Sequence, residues 1–102
     1  MYRSMVSLER RARQHRRRAF LYVAKGDLEG AINSMLDALA FTPKDGRLWQ
    51  GLGELYMRAG TPELAKDAFN QAWRSRASRL TQVRTLALRL LPWHSIRGWS
   101  GN

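Results

Sequence analysis

Residues 49–72 read WQGLGELYMRAGTPELAKDAFNQA, and the pattern of apolar residues in this segment predicts the fold. Small and large apolar residues recur at helical spacing on both sides of a central break, which predicts two amphipathic helices. Gly60 suits the left-handed conformation that ends a helix, Thr61 suits the N-cap, and Pro62 suits the first position of the next helix. The predicted helices lie near 46–59 and 62–75.

The same pattern occurs one repeat earlier in the chain. An offset of 34 residues places small residues on small ones and large residues on large ones. This first copy predicts helices near 5–25 and 28–41, and the turn at 42–45 ends with Asp45 as the next N-cap. The coincident pairs are Ala19 with Gly53, Tyr22 with Tyr56, Gly26 with Gly60, Glu29 with Glu63, Ala31 with Ala65, Met35 with Phe69, and Ala38 with Ala72.

The second copy, residues 46–79, resembles the tetratricopeptide repeat family. The first copy, residues 12–45, is weaker, because His15 and Arg18 stand where the family has Trp and Leu. Ala77 in the second copy stands where the family usually has Pro. The resemblance implies an all-α fold of antiparallel helix pairs, a fragment of an α-solenoid, and a non-catalytic protein–protein interaction module such as an adaptor or assembly subunit. It depends on Trp49, Leu52, Gly53, Tyr56, Ala65, Phe69 and Ala72.

A further apolar periodicity follows the second copy. Leu80, Val83, Ala87 and Leu90 recur at helical spacing, which predicts a helix over 79–91. The end of a repeat array needs a helix to cover its last apolar face, so we expect this helix to cap the repeats. Two alternatives stay open: the helix runs on continuously from the preceding one, or it binds a partner. The chain is predicted to form one domain over 1–102, with little regular structure in the tail at 92–102.

The chain offers no set of residues for catalysis or for metal binding. It contains no Cys and two His, and no acidic residue follows Asp67. His15 falls on the apolar face of the first helix, which favours a core or boundary role, and His94 has no acidic residue near it in sequence. We therefore predict no catalytic residue, no metal site, no cofactor and no enzymatic activity.

The resemblance also implies where a partner would bind. In the family the inner groove is lined by the first helix of each repeat, so the groove would mix basic and apolar side chains that suit an acidic, partly apolar protein segment. Family members that hold acidic chaperone tails have Asn where Phe20 and Gly51 stand here, which argues against that specificity. The predicted groove residues are Arg13, Arg16, Phe20 and Val23 from the first copy, and Arg47, Gln50, Glu54 and Met57 from the second.

The charge leaves other partners open. The net charge is +10, and it is concentrated at the two ends: residues 1–26 hold eight basic residues and one acidic, and residues 68–102 hold six basic residues and no acidic one. An RNA-associated subunit of a ribonucleoprotein is one alternative, with contacts through Arg10, Arg11, Arg17 and Arg18. A membrane surface, approached by the basic helix at 79–91, is a second, and self-association is a third. We expect an intracellular protein, in the cytoplasm or, since the Arg-rich N-terminus resembles a transit peptide, in an organellar matrix.

Overall fold

A computed structural model of the chain describes the backbone of residues 2–90 and the side chains of residues 5–88. Within that range the fold is all-α, as predicted. The helices pack in chain order, α1 on α2, α2 on α3 and α3 on α4, so that two helix pairs stack on one another. The four helices are α1 (Tyr2–Ala24), α2 (Leu28–Phe41), α3 (Gly46–Arg58) and α4 (Pro62–Leu90).

Each pair is closed by the same glycine turn. Gly26 and Gly60 both have φ of +81°, the left-handed region in which only glycine is unstrained. After α1, the amide of Gly26 donates to the carbonyl of Val23 and the amide of Asp27 to that of Tyr22, both at 2.9 Å. These two bonds satisfy carbonyls that the end of the helix would otherwise leave unpaired. The amides of Gly60 and Thr61 repeat the pattern with the carbonyls of Met57 and Tyr56.

Two aspartates cap the helices that follow the turns. Oδ1 of Asp27 accepts from the amide of Gly30 at 2.9 Å, and Oδ1 of Asp45 accepts from the amide of Arg47 at 3.0 Å. The predicted N-cap at Asp45 is therefore confirmed. Thr61 also holds the predicted N-cap position, directly before Pro62, and its carbonyl accepts from the amide of Ala65 at 3.1 Å. Its side chain does not cap α4, because the hydroxyl donates to the carbonyl of Tyr56 at 3.1 Å and so closes the end of α3.

The core is built from close approaches between small and large residues. A Cβ placed at Gly53 would lie 2.5 Å from Cε1 of Phe69, so the Phe69 ring packs directly on the backbone of α3. Ala65 is fully buried on the facing helix, while Leu48 and Leu52 are the largest completely buried side chains. The predicted close-approach positions of the repeat are thus the places where these two helices meet.

The capping helix expected at 79–91 requires a correction. α4 runs without interruption over Pro62–Leu90, so residues 79–90 continue the fourth helix, and residue 91 and the tail lie outside the described residues. All side chains from 79 to 88 are exposed and cover no apolar face of the repeats. The alternative of a continuous helix is correct, because Ala77 replaces the proline that would stop it.

Both outer helices are longer than their partners, and the excess lies at the same end of the molecule. Phe41, the last residue of α2, stacks on His15 in the middle of α1. Gly46, the first residue of α3, lies against Ala72 and Ser75 of α4. The first turns of α1 and the last turns of α4 therefore extend past the loop that joins α2 to α3. Met5 and Leu8, predicted on the apolar face of α1, are exposed for this reason.

Candidate functional site

A basic groove of about 560 Å³ lies where α1 and α4 extend past the loop at 42–45. One wall comes from α1, the floor from the loop and the start of α3, and the other wall from α4. We call it the basic groove, because its charged side chains are mostly cationic. The cations are Arg13, Arg16, Lys44, Arg47 and Arg79, and the carboxylates are Glu9 and Asp45.

The loop that forms the floor is held at both ends. Nε1 of Trp49 donates to the carbonyl of Pro43 at 2.7 Å, a short bond that ties the loop to α3. The Asp45 carboxylate is already engaged as the cap of α3. Trp49 packs on the core cluster, and its indole N–H also fixes the floor of the groove.

The cations of the groove form no ion pair with the carboxylates described over residues 5–88. Among the side chains described over 5–88, the ion pair within 4.0 Å joins Nδ1 of His15 to Oδ2 of Asp37 at 3.9 Å, and neither residue lines the groove. Arginines whose guanidinium groups lack an internal partner keep their fork of N–H donors for an incoming anion. The groove is therefore suited to carboxylate or phosphate oxygens.

The structure brings together only part of the predicted binding set. Arg13, Arg16 and Arg47 line the basic groove, and Gln50 lines an adjoining groove of about 270 Å³ that shares Arg47 and Arg79 with it. The other four predicted residues line neither groove. Of these, Val23 packs against the core, Glu54 is exposed, and Phe20 and Met57 are each 56% exposed.

Phe20 nevertheless connects to the groove through an arginine. The guanidinium carbon of Arg16 lies 5.7 Å from the centroid of the Phe20 ring, within the range of a cation–π contact. The Phe20 ring is mostly in solvent and does not belong to the core. Phe20 is placed as an exposed apolar surface next to a cation of the groove.

Sequence reasoning missed two cations of the groove. Arg79 was assigned to a separate capping helix, and only the continuation of α4 carries it to the groove wall. Lys44 was treated as part of a turn. The signal for Arg79 was present in the sequence, because Ala77 in place of Pro already favoured a continuous helix.

The outer arginines are not one uniform face. Arg10 and Arg17 are exposed and line none of the grooves, whereas the guanidinium of Arg11 lies 5.9 Å from the centroid of the Phe41 ring. Arg18 lines a shallow depression beside Leu21. Their assignment to RNA or anion binding stays a prediction.

His15 has the boundary position that was expected. Its ring stacks on Phe41 with centroids 5.5 Å apart and an angle of 14° between the planes. The Nδ1 atom is buried without a hydrogen-bond partner. In the part of the chain that the structure describes, no three His, Asp or Glu side chains gather as metal ligands. Over the same residues, no helix has both the length and the hydrophobicity needed to cross a membrane.

Comparisons with known proteins agree with the fold. The tetratricopeptide repeat family matches residues 22–90. The chain is also similar to a general transcriptional corepressor, ssn6, from Schizosaccharomyces pombe, with 42% identity over 55 residues. That stretch is 52% of this chain and 5% of the corepressor, so the chain spans a small part of that relative. No solved structure matches the chain.

Proposed function

Because the chain belongs to the tetratricopeptide repeat family, a family of non-catalytic protein–protein interaction modules, we propose that its basic groove binds an acidic segment of a partner protein. The observation that carries this proposal is the charge of the groove: five cations against two carboxylates, one of which is already engaged as a helix cap. Carboxylates of a partner would meet guanidinium groups that form no ion pair with the side chains described over 5–88.

The groove offers more than charge. Ala12 and Leu48 of its lining are almost fully buried, but the exposed Phe20 ring lies next to Arg16 and supplies apolar surface beside the charge. Bidentate pairing with arginine fixes the position of a carboxylate, while an apolar side chain of the partner removes water from around it. A segment that alternates acidic and apolar residues fits this mixture better than a purely acidic one.

The 42% identical relative supports the repeat and not a specific role. Its name describes a general transcriptional corepressor, and the match covers 5% of its length. Such a match supports a shared helical repeat, from which the partner of this chain does not follow. The proposal therefore rests on the groove.

The test is a titration of the whole chain with a labelled peptide of alternating Glu and Leu. Arg13→Glu combined with Arg47→Glu should weaken binding about 100-fold, because two attractive contacts of roughly 1.5 kcal/mol each are lost. Arg10→Glu combined with Arg17→Glu is the matched control: it changes the net charge equally but lies outside the groove. Equal losses for the two double variants would refute groove binding and leave only long-range attraction.

The same variants separate the RNA alternative. If the outer arginines bind phosphates, a labelled single-stranded RNA should lose affinity with Arg10→Glu and Arg17→Glu, since each phosphate contact contributes through release of counterions. Binding of RNA but not of the acidic peptide would replace our proposal with the ribonucleoprotein alternative.

A further inference from the structure

The last part of α4 carries an apolar face that no other side chain described over residues 5–88 covers. Leu80, Val83 and Leu86 are 61%, 60% and 57% exposed. At 100° per residue, these side chains and Ala87 lie on one side of the helix, which continues the side that packs on α3 through Ala65, Ala68 and Ala72. We call these four positions, 80, 83, 86 and 87, the α4 face.

This face follows the register of the repeat. Continued for another 34 residues, the offset places Val83 on Trp49, Leu86 on Leu52 and Ala87 on Gly53. Val83 and Leu86 thus fall on large residues and Ala87 on the close-approach position, whereas Leu80 falls on Gly46. The family match also extends to residue 90. The end of α4 therefore has the pattern of a first helix of a third repeat.

The chain lacks the turn that would separate this helix from α4. The turn before α3 has Pro43 and the capping carboxylate of Asp45. One repeat later, the corresponding positions are occupied by Ala77 and Arg79, which neither break a helix nor cap one. The first helix of this third repeat is therefore continuous with the last helix of the second repeat. Within residues 2–90, no second helix packs against it.

The first pair of the chain indicates what would cover such a helix. α1 is strongly basic, and α2, which packs on it, contains Glu29 and Asp37 and no basic residue. Ala19 of α1 occupies the same repeat position as Ala87, and Met35 of α2 is buried in the same cluster as Ala19. A basic first helix with alanine at this position is thus covered by an acidic second helix with methionine.

The end of α4 has the same chemistry as α1. Four arginines lie between residues 74 and 84, and no acidic residue occurs after Asp67. We propose that the α4 face is completed by an acidic amphipathic helix of a partner protein, which packs as the missing second helix of a third repeat. Val83 and Leu86 line neither groove, whereas Leu80 lines the adjoining groove beside Arg79, so the α4 face meets the grooves only at its first residue.

A second copy of the α4 face fits the same surface poorly. Pairing two such helices would place Arg76, Arg79 and Arg84 of one copy beside those of the other. Like charges in contact oppose association, and no carboxylate on this part of the helix offsets them. An acidic helix would instead place carboxylates beside these arginines, so that the charges favour association.

The probe is a labelled synthetic peptide of residues 27–42, the acidic α2 helix with its cap, titrated into the whole chain. Val83→Ser combined with Leu86→Ser should weaken its binding about tenfold or more, because two apolar anchors are lost. Leu88→Ser is the matched control, since Leu88 is exposed on the opposite side of the same helix. A peptide with Glu29→Lys and Asp37→Lys should also bind about tenfold more weakly.

Each outcome supports or overturns the proposed binding of an acidic helix to the α4 face. Unchanged binding to the serine variant, or no binding of the peptide to the unaltered chain, would overturn the proposal. A dimer detected by light scattering that the serine changes dissociate would assign the face to a second copy instead. Val83→Ser with Leu86→Ser should weaken the α2 peptide and leave the Glu–Leu peptide unchanged, because neither side chain lines the basic groove, so failure at the groove and failure at the α4 face can be told apart.

Discussion

A single missing side chain at position 53 sets the distance between α3 and α4. Because a Cβ there would lie 2.5 Å from the Phe69 ring, Gly53→Ala forces the ring or a helix to move. We expect a loss of about 1–3 kcal/mol in the free energy of unfolding, despite the better helix propensity of alanine. Urea denaturation of the two proteins measures it, and Gly53→Leu should cost more.

Gly51 on the same helix provides the control. A Cβ there would meet Cε of Met35 at 3.1 Å, which is the flexible end of a side chain that can turn aside. Gly51→Ala should leave the free energy of unfolding unchanged or raise it by up to about 1 kcal/mol. If both glycines tolerate alanine equally, the close approach at Gly53 does not set the packing.

Trp49 joins the core to the floor of the groove. Trp49→Phe keeps an aromatic ring and removes the N–H that donates to Pro43. We expect a cost of about 0.5–1.5 kcal/mol in the free energy of unfolding and faster amide exchange in the loop at 42–45. Hydrogen exchange followed by mass spectrometry checks this, and an unaltered loop would show that the bond does not restrain it.

Single residues could be predicted where their chemistry is local. Gly60 and Asp45 could be placed because a left-handed turn and an N-cap each need a specific residue type. The hydroxyl of Thr61 had two acceptable partners, and sequence does not choose between them. The exposure of Phe20 depends on how far α1 stands from its neighbours, which is a tertiary property.

The bounds of a helix could be predicted wherever a turn interrupts the chain. The first three helices have ends marked by Gly, Asp or Pro, and the observed bounds follow those signals. No Gly, Asp or Pro interrupts the chain at the end of the second repeat, before residue 79. The expectation of a separate capping helix there followed only from the general need of repeat arrays for a terminal helix. α4 is continuous because Ala77 does not interrupt a helix.

Restoring the family's proline tests this interpretation of α4. Ala77→Pro removes one backbone hydrogen bond and clashes with the preceding turn, at a local cost of about 3 kcal/mol. Since side chains 79–88 are exposed, the thermal midpoint of the repeats should not change. The Glu–Leu peptide should bind more weakly, because Arg79 leaves the groove wall.

Ser78→Ala serves as the control for that change, because alanine continues the helix and Ser78 is exposed. It should alter neither the thermal midpoint nor the affinity for the peptide. A large fall in the midpoint for Ala77→Pro would mean that the end of α4 stabilises the repeats, as a capping helix would.

At the scale of the whole molecule, the site depends on two helices that are longer than their partners. Repeat register predicts which side of a first helix faces the groove, and Arg13, Arg16 and Arg47 do line the basic groove together. It could not give Arg79, which reaches the groove only through the continuous α4. The predicted Glu54 and Met57 lie further along α3, away from the end where the groove forms.

Because the molecule is strongly basic, the salt dependence of its binding affinity best distinguishes a protein partner from RNA. With +10 on 102 residues, every anion is attracted at low salt, so affinity alone does not identify a partner. An acidic peptide held by a few partly desolvated pairs and apolar anchors should lose about tenfold or less between about 50 and 200 mM salt. RNA bound through many phosphates should lose about 1,000-fold or more over the same range, with a log–log slope near 0.7 per phosphate contact.

Titrations of both probes at four salt concentrations measure the two slopes, and Arg10→Glu with Arg17→Glu should reduce the RNA slope while leaving the peptide slope intact. A peptide slope as steep as that of RNA would mean that the groove attracts acidic segments by net charge alone, without the directed arginine pairing on which its specificity is proposed to rest.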